Sequence, residues 1–195
     1  MGKIFYIMGK SSSGKDTIYR RLLEDKELGL SNIILYTTRP MRQGEQPGRE
    51  YYFVKEETFR EYEKLGKIIE ARTYQTVYGP WIYFTADDGQ KELEKKNYLG
   101  IGTLESYIHM KEYFGEENLC PLYIEVEDGE RLKRAIRREE LQPEPKYAEM
   151  CRRFLADEED FSEENLKKAG IVKRFRNIDL ESCVIELKNC IQKLQ

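Results

Sequence analysis

Histidine is nearly missing from this sequence. His109 is the single one, it falls in a helix-like segment, and no ligand partner stands at useful spacing from it. Imidazole chemistry and histidine-based metal sites are therefore not expected. Paired cysteines are missing too: Cys120, Cys151, Cys183 and Cys190 contain no C-x-x-C, and no secretory apolar stretch opens the chain. Incidental thiols in a reducing cytoplasm are the expectation. No apolar run approaches the length that spans a bilayer, and no repeat or low-complexity tract occurs. An excess of charge is also lacking. The formal net charge is −3, so no basic field points to nucleic acid or to a membrane surface. Small-molecule substrates and a monomer or homodimer are the expectation.

What is present is a heavily charged surface, 35% of residues, with 12% aromatics left over for a core. A chain of 195 residues suffices for one domain. Residues 3–8 (KIFYIM) read as a buried strand, and residues 17–28 show the spacing of an amphipathic helix. Further strands are expected at 32–36, 51–54, 68–71, 81–84, 98–102, 121–126 and 172–175. Helices are expected at 56–65, 87–96, 103–114, 128–140, from 147 onward, and at 180–194. In 128–140, Leu132, Ala135 and Ile136 share one side, with basic residues elsewhere, and the two prolines of LQPEPK (141–146) end it. Strands alternating with helices imply an α/β fold, a parallel sheet wrapped on both faces. The segment around 51–84 reads as a small, mixed, β-rich lobe.

Between the first strand and the first helix lies GKSSSGKDT, residues 9–17. Glycines, a lysine and a helix start in this order make a phosphate-binding loop, because converging backbone N–H groups and a helix N-terminus cradle an anion. Gly9 allows the sharp exit from the strand and Gly14 the close approach of backbone to phosphate. Ser12 and Ser13 line the loop, and Lys15 would reach the terminal phosphates of the donor. The usual hydroxyl after the lysine is replaced by Asp16, with Thr17 one place later.

The next stretch, TTRPMRQGEQPGREYYFV (37–54), resembles the guanylate kinase pattern T-T-R-x-x-R-x-G-E-x-x-G-x-[DE]-Y-x-F-V. The likeness extends over the chain, through Glu70, Tyr78 and Gly79, an arginine-rich stretch after Glu130, and NIDLE from Asn177. It implies a P-loop NTP hydrolase-like α/β kinase in one domain. The core would be 1–36, 86–130 and 160–195, the acceptor-binding region 37–85 and a helical lid 131–159. It implies transfer of a phosphoryl group from ATP, with Mg²⁺, to GMP or dGMP. By position, Arg39, Arg42, Tyr51 and Tyr78 would clamp the acceptor phosphate, guanidinium forks and tyrosine hydroxyls being suitable donors. Glu70 would read guanine, or be an ordinary glutamate after a strand. Arg134, Arg137, Arg138, Arg152 and Arg153 fall in the lid, where some must simply be solvated. Arg137 and Arg153 are the expected catalytic pair with Lys15, and Asn177 would lie near adenine.

The chain departs from the pattern at three places. Leu35 and Pro80 stand where the family keeps hydroxyls that help read guanine, and neither offers a side-chain hydrogen bond. YLGIG (98–102) puts Gly100 and Gly102 where an L-D-x-D pattern carries acids. Asp16 could replace a lost acid by binding Mg²⁺, or could simply charge the first helical turn. The departures leave two other readings open: a kinase of another phosphorylated small molecule such as ribose 1,5-bisphosphate, and a non-catalytic binding module.

Overall fold

A computed structural model describes residues 2–42, 44–49, 51–76, 79–89 and 93–195. Strand β1 (Ile4–Met8) runs into helix α1 (Lys15–Glu24), then β2 (Ser31–Asn32) and β3 (Leu35–Thr37). β4 (Tyr51–Phe53), α2 (Glu56–Lys64), β5 (Ile68–Thr76) and β6 (Gly79–Ala86) follow. Then come β7 (Tyr98–Gly102), α3 (Leu104–Phe114), β8 (Leu119–Glu125) and α4 (Asp128–Glu140). The chain closes with α5 (Tyr147–Asp160), α6 (Glu163–Lys168), β9 (Arg174–Arg176) and α7 (Leu180–Leu194).

The larger sheet is parallel throughout, in the order β2-β7-β1-β8-β9. Its centre, β1, is apolar at every position because both faces are covered. Phe5 and Ile7 point to α1 and α7, against Ile18, Leu22, Leu187 and Ile191. Ile4, Tyr6 and Met8 point the other way, to Leu104, Tyr107 and Met110 of α3. Each fully buried side chain of this kind contributes roughly 1.5–3 kcal/mol.

The smaller sheet is mixed, in the order β4-β3-β6-β5. Tyr36, Ile82 and Phe84 pack one face onto Phe59 of α2. By the pleat and the register, its opposite face carries Leu35, Thr37, Tyr51, Arg72, Tyr83 and Thr85.

Several expectations change. Residues 32–36 are not one strand: Ser31–Asn32 pairs with β7, whereas Leu35–Thr37 joins the smaller sheet. A continuous apolar run carries no mark of a change of sheet. Residues 87–89 and 93–96 are not helical, and 90–92 lie outside the described residues. Gly89 takes φ 77°, while Asp87 and Asp88 accept hydrogen bonds from Tyr113 and Tyr36 at 2.7 Å. The first helix begins at Lys15 and stops at Glu24, earlier at both ends than its spacing suggests. β5 and β6 are longer than expected, the last strand starts two residues later and ends one later, and α6 was not anticipated. On α4 the buried positions are Arg131, Ala135 and Glu139, with Ile136 exposed. Apolar periodicity misses this stripe because two of its three members are charged.

Candidate active site

The carboxyl ends of β1 and β7 lie side by side, with Met8 in register with Gly102. In open α/β sheets that edge is where ligands bind. The loop after β1 is wound tightly there: Ser12 has φ 63° and Gly14 has φ 86°. A side chain at Gly14 would also strike the Asn177 amide, whose nitrogen is 2.5 Å from the Cβ position. Gly9 is equally confined, 2.6 Å from the Ile124 carbonyl on the same measure. The Ser12 and Ser13 hydroxyls are buried and have no hydrogen-bond partner among the described residues. Buried polar atoms are rarely left so, and a phosphate oxygen would satisfy both. Lys15 and Thr17 open α1.

Asn177 is 3% exposed and donates its amide to the Ser13 carbonyl at 2.8 Å. Its side chain thus braces the loop from behind, a contact its sequence position near the last strand did not announce. Asp16 is the reverse, its side chain 80% exposed and 3.8 Å from the Lys15 ammonium. It lies in the first turn of α1, which has no side-chain cap.

Helices α4 and α5 grip the same loop. Asp157 accepts from the Ser11 N–H at 2.7 Å, and Glu158 accepts from Lys10 at 2.7 Å. Arg131, with its side chain 1% exposed, donates to the Ser11 carbonyl and to Asp128, pairs with Glu158, and lies 4.5 Å from the Phe154 ring. Arg131 was not singled out from the sequence, where it is one basic residue among several on α4.

A cavity of about 370 Å³ opens beside this junction. Ser11 and Ser12 line it from the loop, Arg42 from the segment after β3, Arg131 and Arg138 from α4, and Arg153 from α5. Arg137 does not line it, so of the two lid arginines expected to act only Arg153 is brought there, joined by Arg138. Arg153 and Arg152 both bond Glu149, which holds that carboxyl down to about 2. Arg134 turns elsewhere, to the Asn177 carbonyl and Glu130.

Arg39 is 4% exposed, with its two terminal nitrogens on Glu45 at 2.8 and 2.6 Å and its guanidinium 5.1 Å from the Tyr51 ring. Tyr51 in turn meets Tyr83 edge-on. Tyr78 lies outside the described residues. Hydrogen bonds from Arg39 hold the Glu45 carboxyl down to about 2, from an ordinary 4.5. A depressed folded-state pKa means this pair stabilises fully above pH 4.5 and is lost as pH falls towards 2. In thermal melts across that range, the Tm gap between wild type and Glu45→Gln is expected to shrink with falling pH. A gap that does not depend on pH would contradict this.

Gly100 and Gly102 acquire a cause. The Tyr6 ring crosses β7, so a Cβ at Gly100 would stand 2.7 Å from it, and one at Gly102 only 2.2 Å from the Tyr6 hydroxyl. That hydroxyl is buried against Ser106 at 2.7 Å, and burial pushes its pKa well up. Tyr6 thus fills the room an acidic side chain would take. Gly100→Ala is expected to cost about 1–3 kcal/mol in urea unfolding, as overpacking does. In a Tyr6→Leu background the same change should cost measurably less; equal costs in both would show that the two residues do not compete.

Glu70 is buried under its neighbours: Thr85 donates to one oxygen at 2.8 Å and Arg72 to the other at 3.2 Å. Leu35 packs against the core, and Pro80 is exposed on β6. Among the described residues, no group of three His, Cys, Asp or Glu side chains could hold a metal ion by itself, and no helix is long and apolar enough to cross a membrane.

The model of the guanylate kinase family matches residues 1–103. A guanylate kinase of Porphyromonas gingivalis is 29% identical over 194 residues, spanning 98% of this chain and 97% of that protein. One of Nitrobacter winogradskyi is 42% identical over 79 residues, 40% of this chain and 36% of that one. Among solved structures, the guanylate kinase from Anaplasma phagocytophilum superposes with a TM-score of 0.66 at 21% identity, over 100% of this chain and 86% of that chain. This last likeness is one of fold.

Proposed function

Because the chain belongs to the guanylate kinase family, we propose that the cavity between loop and lid is where ATP gives up its γ-phosphoryl. The enzyme is an ATP-dependent phosphotransferase that converts GMP to GDP. The observation that carries the placement is the convergence of Arg42, Arg138 and Arg153, from three separate segments, with Ser11 and Ser12 of the loop on one cavity. Such a ring neutralises the charge that spreads over a phosphoryl group in flight.

The acceptor phosphate oxygen attacks the γ-phosphorus in line, the bond to the bridging oxygen breaks, and ADP leaves. No general base is required, because the nucleophile is already an anion. Catalysis is positioning and charge neutralisation. Lys15 and the loop N–H groups hold the donor; Arg42 and Tyr51 hold the acceptor phosphate, and Arg39 joins them by exchanging its Glu45 partner for a phosphate oxygen. Residues 37–85 serve the acceptor, 131–159 act as the lid, and the remainder is the core. Lid closure by α4 and α5 excludes water.

Mg²⁺ accompanying ATP would supply further charge neutralisation. The exposed Asp16 carboxylate and the Thr17 hydroxyl, at the start of α1, are the groups available to hold it. Two protein ligands suit an ion that takes the rest of its shell from phosphates and water.

The test is ATP consumption with Mg²⁺ against GMP, dGMP, AMP, CMP, UMP and ribose 1,5-bisphosphate. Turnover with the guanine nucleotides is expected; turnover with ribose 1,5-bisphosphate alone would overturn the reading. Asp16→Ala should raise the Mg²⁺ concentration needed for half-maximal rate. An unchanged Mg²⁺ dependence would leave Asp16 only its interaction with the helix N-terminus.

A further inference from the structure

Glu70 and Arg72 stand two apart on β5, on the face of the smaller sheet that also carries Thr37, Tyr51 and Tyr83. Arg72 is in register with Tyr83, and Tyr83 touches Tyr51, over which Arg39 lies. The pair therefore sits beside the residues assigned to the acceptor phosphate, where the acceptor base belongs.

The two side chains are presented very differently. The Glu70 side chain is 1% exposed, and both its oxygens already accept hydrogen bonds, from Thr85 and from Arg72 Nε. For guanine N1–H and N2–H to reach it, those bonds would have to break or be shared under cover. The Arg72 side chain is 16% exposed. Its Nη1 and Nη2 have no hydrogen-bond partner among the described residues, and it lines a cavity of about 700 Å³ together with Thr103, Leu104 and Glu105 at the start of α3 and Asp160 of α5. Glu70 does not line that cavity. What the pair offers a ligand is a fork of donors, not a carboxylate.

A guanidinium cannot accept a hydrogen bond, so it cannot read N1–H or the 2-amino group. It matches the other edge of guanine, where O6 and N7 are both acceptors. That edge needs a donor here, because Leu35 and Pro80 supply no side-chain hydroxyl. We propose that Arg72 is the specificity-determining residue of the acceptor site, reading the O6/N7 edge of a 6-oxopurine, with Glu70 as the residue that positions it. This rests on the reading of the chain as a GMP kinase, and it adds a consequence: the 2-amino group of the base is dispensable. IMP, which keeps O6 and N7 but lacks that group, is a second acceptor. AMP presents a 6-amino donor to a donor, and 2-aminopurine riboside 5′-monophosphate has no 6-oxygen, so both are rejected.

The experiment is equilibrium binding of these four nucleotides to the full chain without ATP, with turnover measured separately. In the wild type, GMP and IMP should bind within about threefold of each other, and the other two should bind roughly 10–100-fold more weakly. Arg72→Ala should bring GMP and IMP down to the level of the 2-aminopurine nucleotide, which itself should hardly move. Glu70→Gln should weaken GMP and IMP together and leave their ratio unchanged. Arg72→Gln, with one amide donor left, should keep part of the preference for the 6-oxopurines.

GMP favoured over IMP by 100-fold in the wild type would overturn the inference, since the 2-amino group would then be read. An Arg72→Ala loss shared equally by all four nucleotides would also overturn it, marking a structural role. The wild-type series decides the matter even if no variant folds. Base preference without any turnover would overturn the kinase reading alone. Turnover of GMP with IMP 100-fold weaker would overturn this inference alone, and binding of none of the four would overturn both.

Discussion

Lys15→Ala is expected to lower kcat by roughly 10²–10³, the scale at which removal of one well-placed group that stabilises transition-state charge is felt. Lys15 opens α1 directly after the left-handed Gly14, which fixes its backbone at the neck of the loop. Among the described residues its ion-pair neighbour is Asp16, and that contact is long, at 3.8 Å. The ammonium is therefore available to phosphate oxygens, whose negative charge shifts during transfer. The loop N–H groups, Arg42, Arg138 and Arg153 remain in the variant, so a residual rate should persist. Steady-state kinetics with saturating ATP and GMP measure the effect, and a thermal melt should show the fold unchanged. A kcat within tenfold of wild type would remove Lys15 from the catalytic step.

The largest loss of stability is expected from Arg131→Ala, about 3 kcal/mol. Breaking a buried ion network from one side leaves its other charges without compensation. Here those charges are Asp128, Asp157 and Glu158, and the guanidinium also covers Phe154 and holds the Ser11 carbonyl. The partners retain some access to water, which keeps the expected loss at the lower end of the range for buried pairs. For a chain of this size the loss corresponds to a Tm lower by roughly 6–12 °C. Arg131→Met separates the causes, because it keeps much of the packing and removes the charge. If Arg131→Ala cost less than about 1 kcal/mol, the network would be an incidental surface arrangement.

These two residues mark what a sequence discloses and what it withholds. Lys15 is legible because a phosphate-binding loop is local: glycine, lysine and helix start follow one another, and β1 and α1 supply their own apolar patterns. The bounds of α4 and α7 are legible for the same reason, with LQPEPK ending the one and Val184, Leu187 and Ile191 patterning the other. Arg131 is not legible. Its partners Asp157, Glu158 and Ser11 come from distant parts of the chain, and on α4 it looks like any other solvated arginine. The choice between Arg137 and Arg138 fails similarly, since adjacent helical positions point about 100° apart and only the packing of α4 decides which meets the loop. Residues 32–36 misled because an apolar run says that a strand is buried, not which sheet buries it. Glu70 was legible as a carboxylate next to a strand pattern, but its cover by Arg72 and Thr85 belongs to the register of β5 with β6.

The Tyr6 ring lying across Gly100 and Gly102 bears on descent as well as on packing. An acid could not enter β7 while tyrosine occupies that space, and shrinking Tyr6 alone would leave a void beneath two glycines. Each single step is disfavoured, whereas the combined change is open. Reaching an acidic strand from this sequence therefore passes through a less stable single variant, and selection for stability alone keeps the glycines in place.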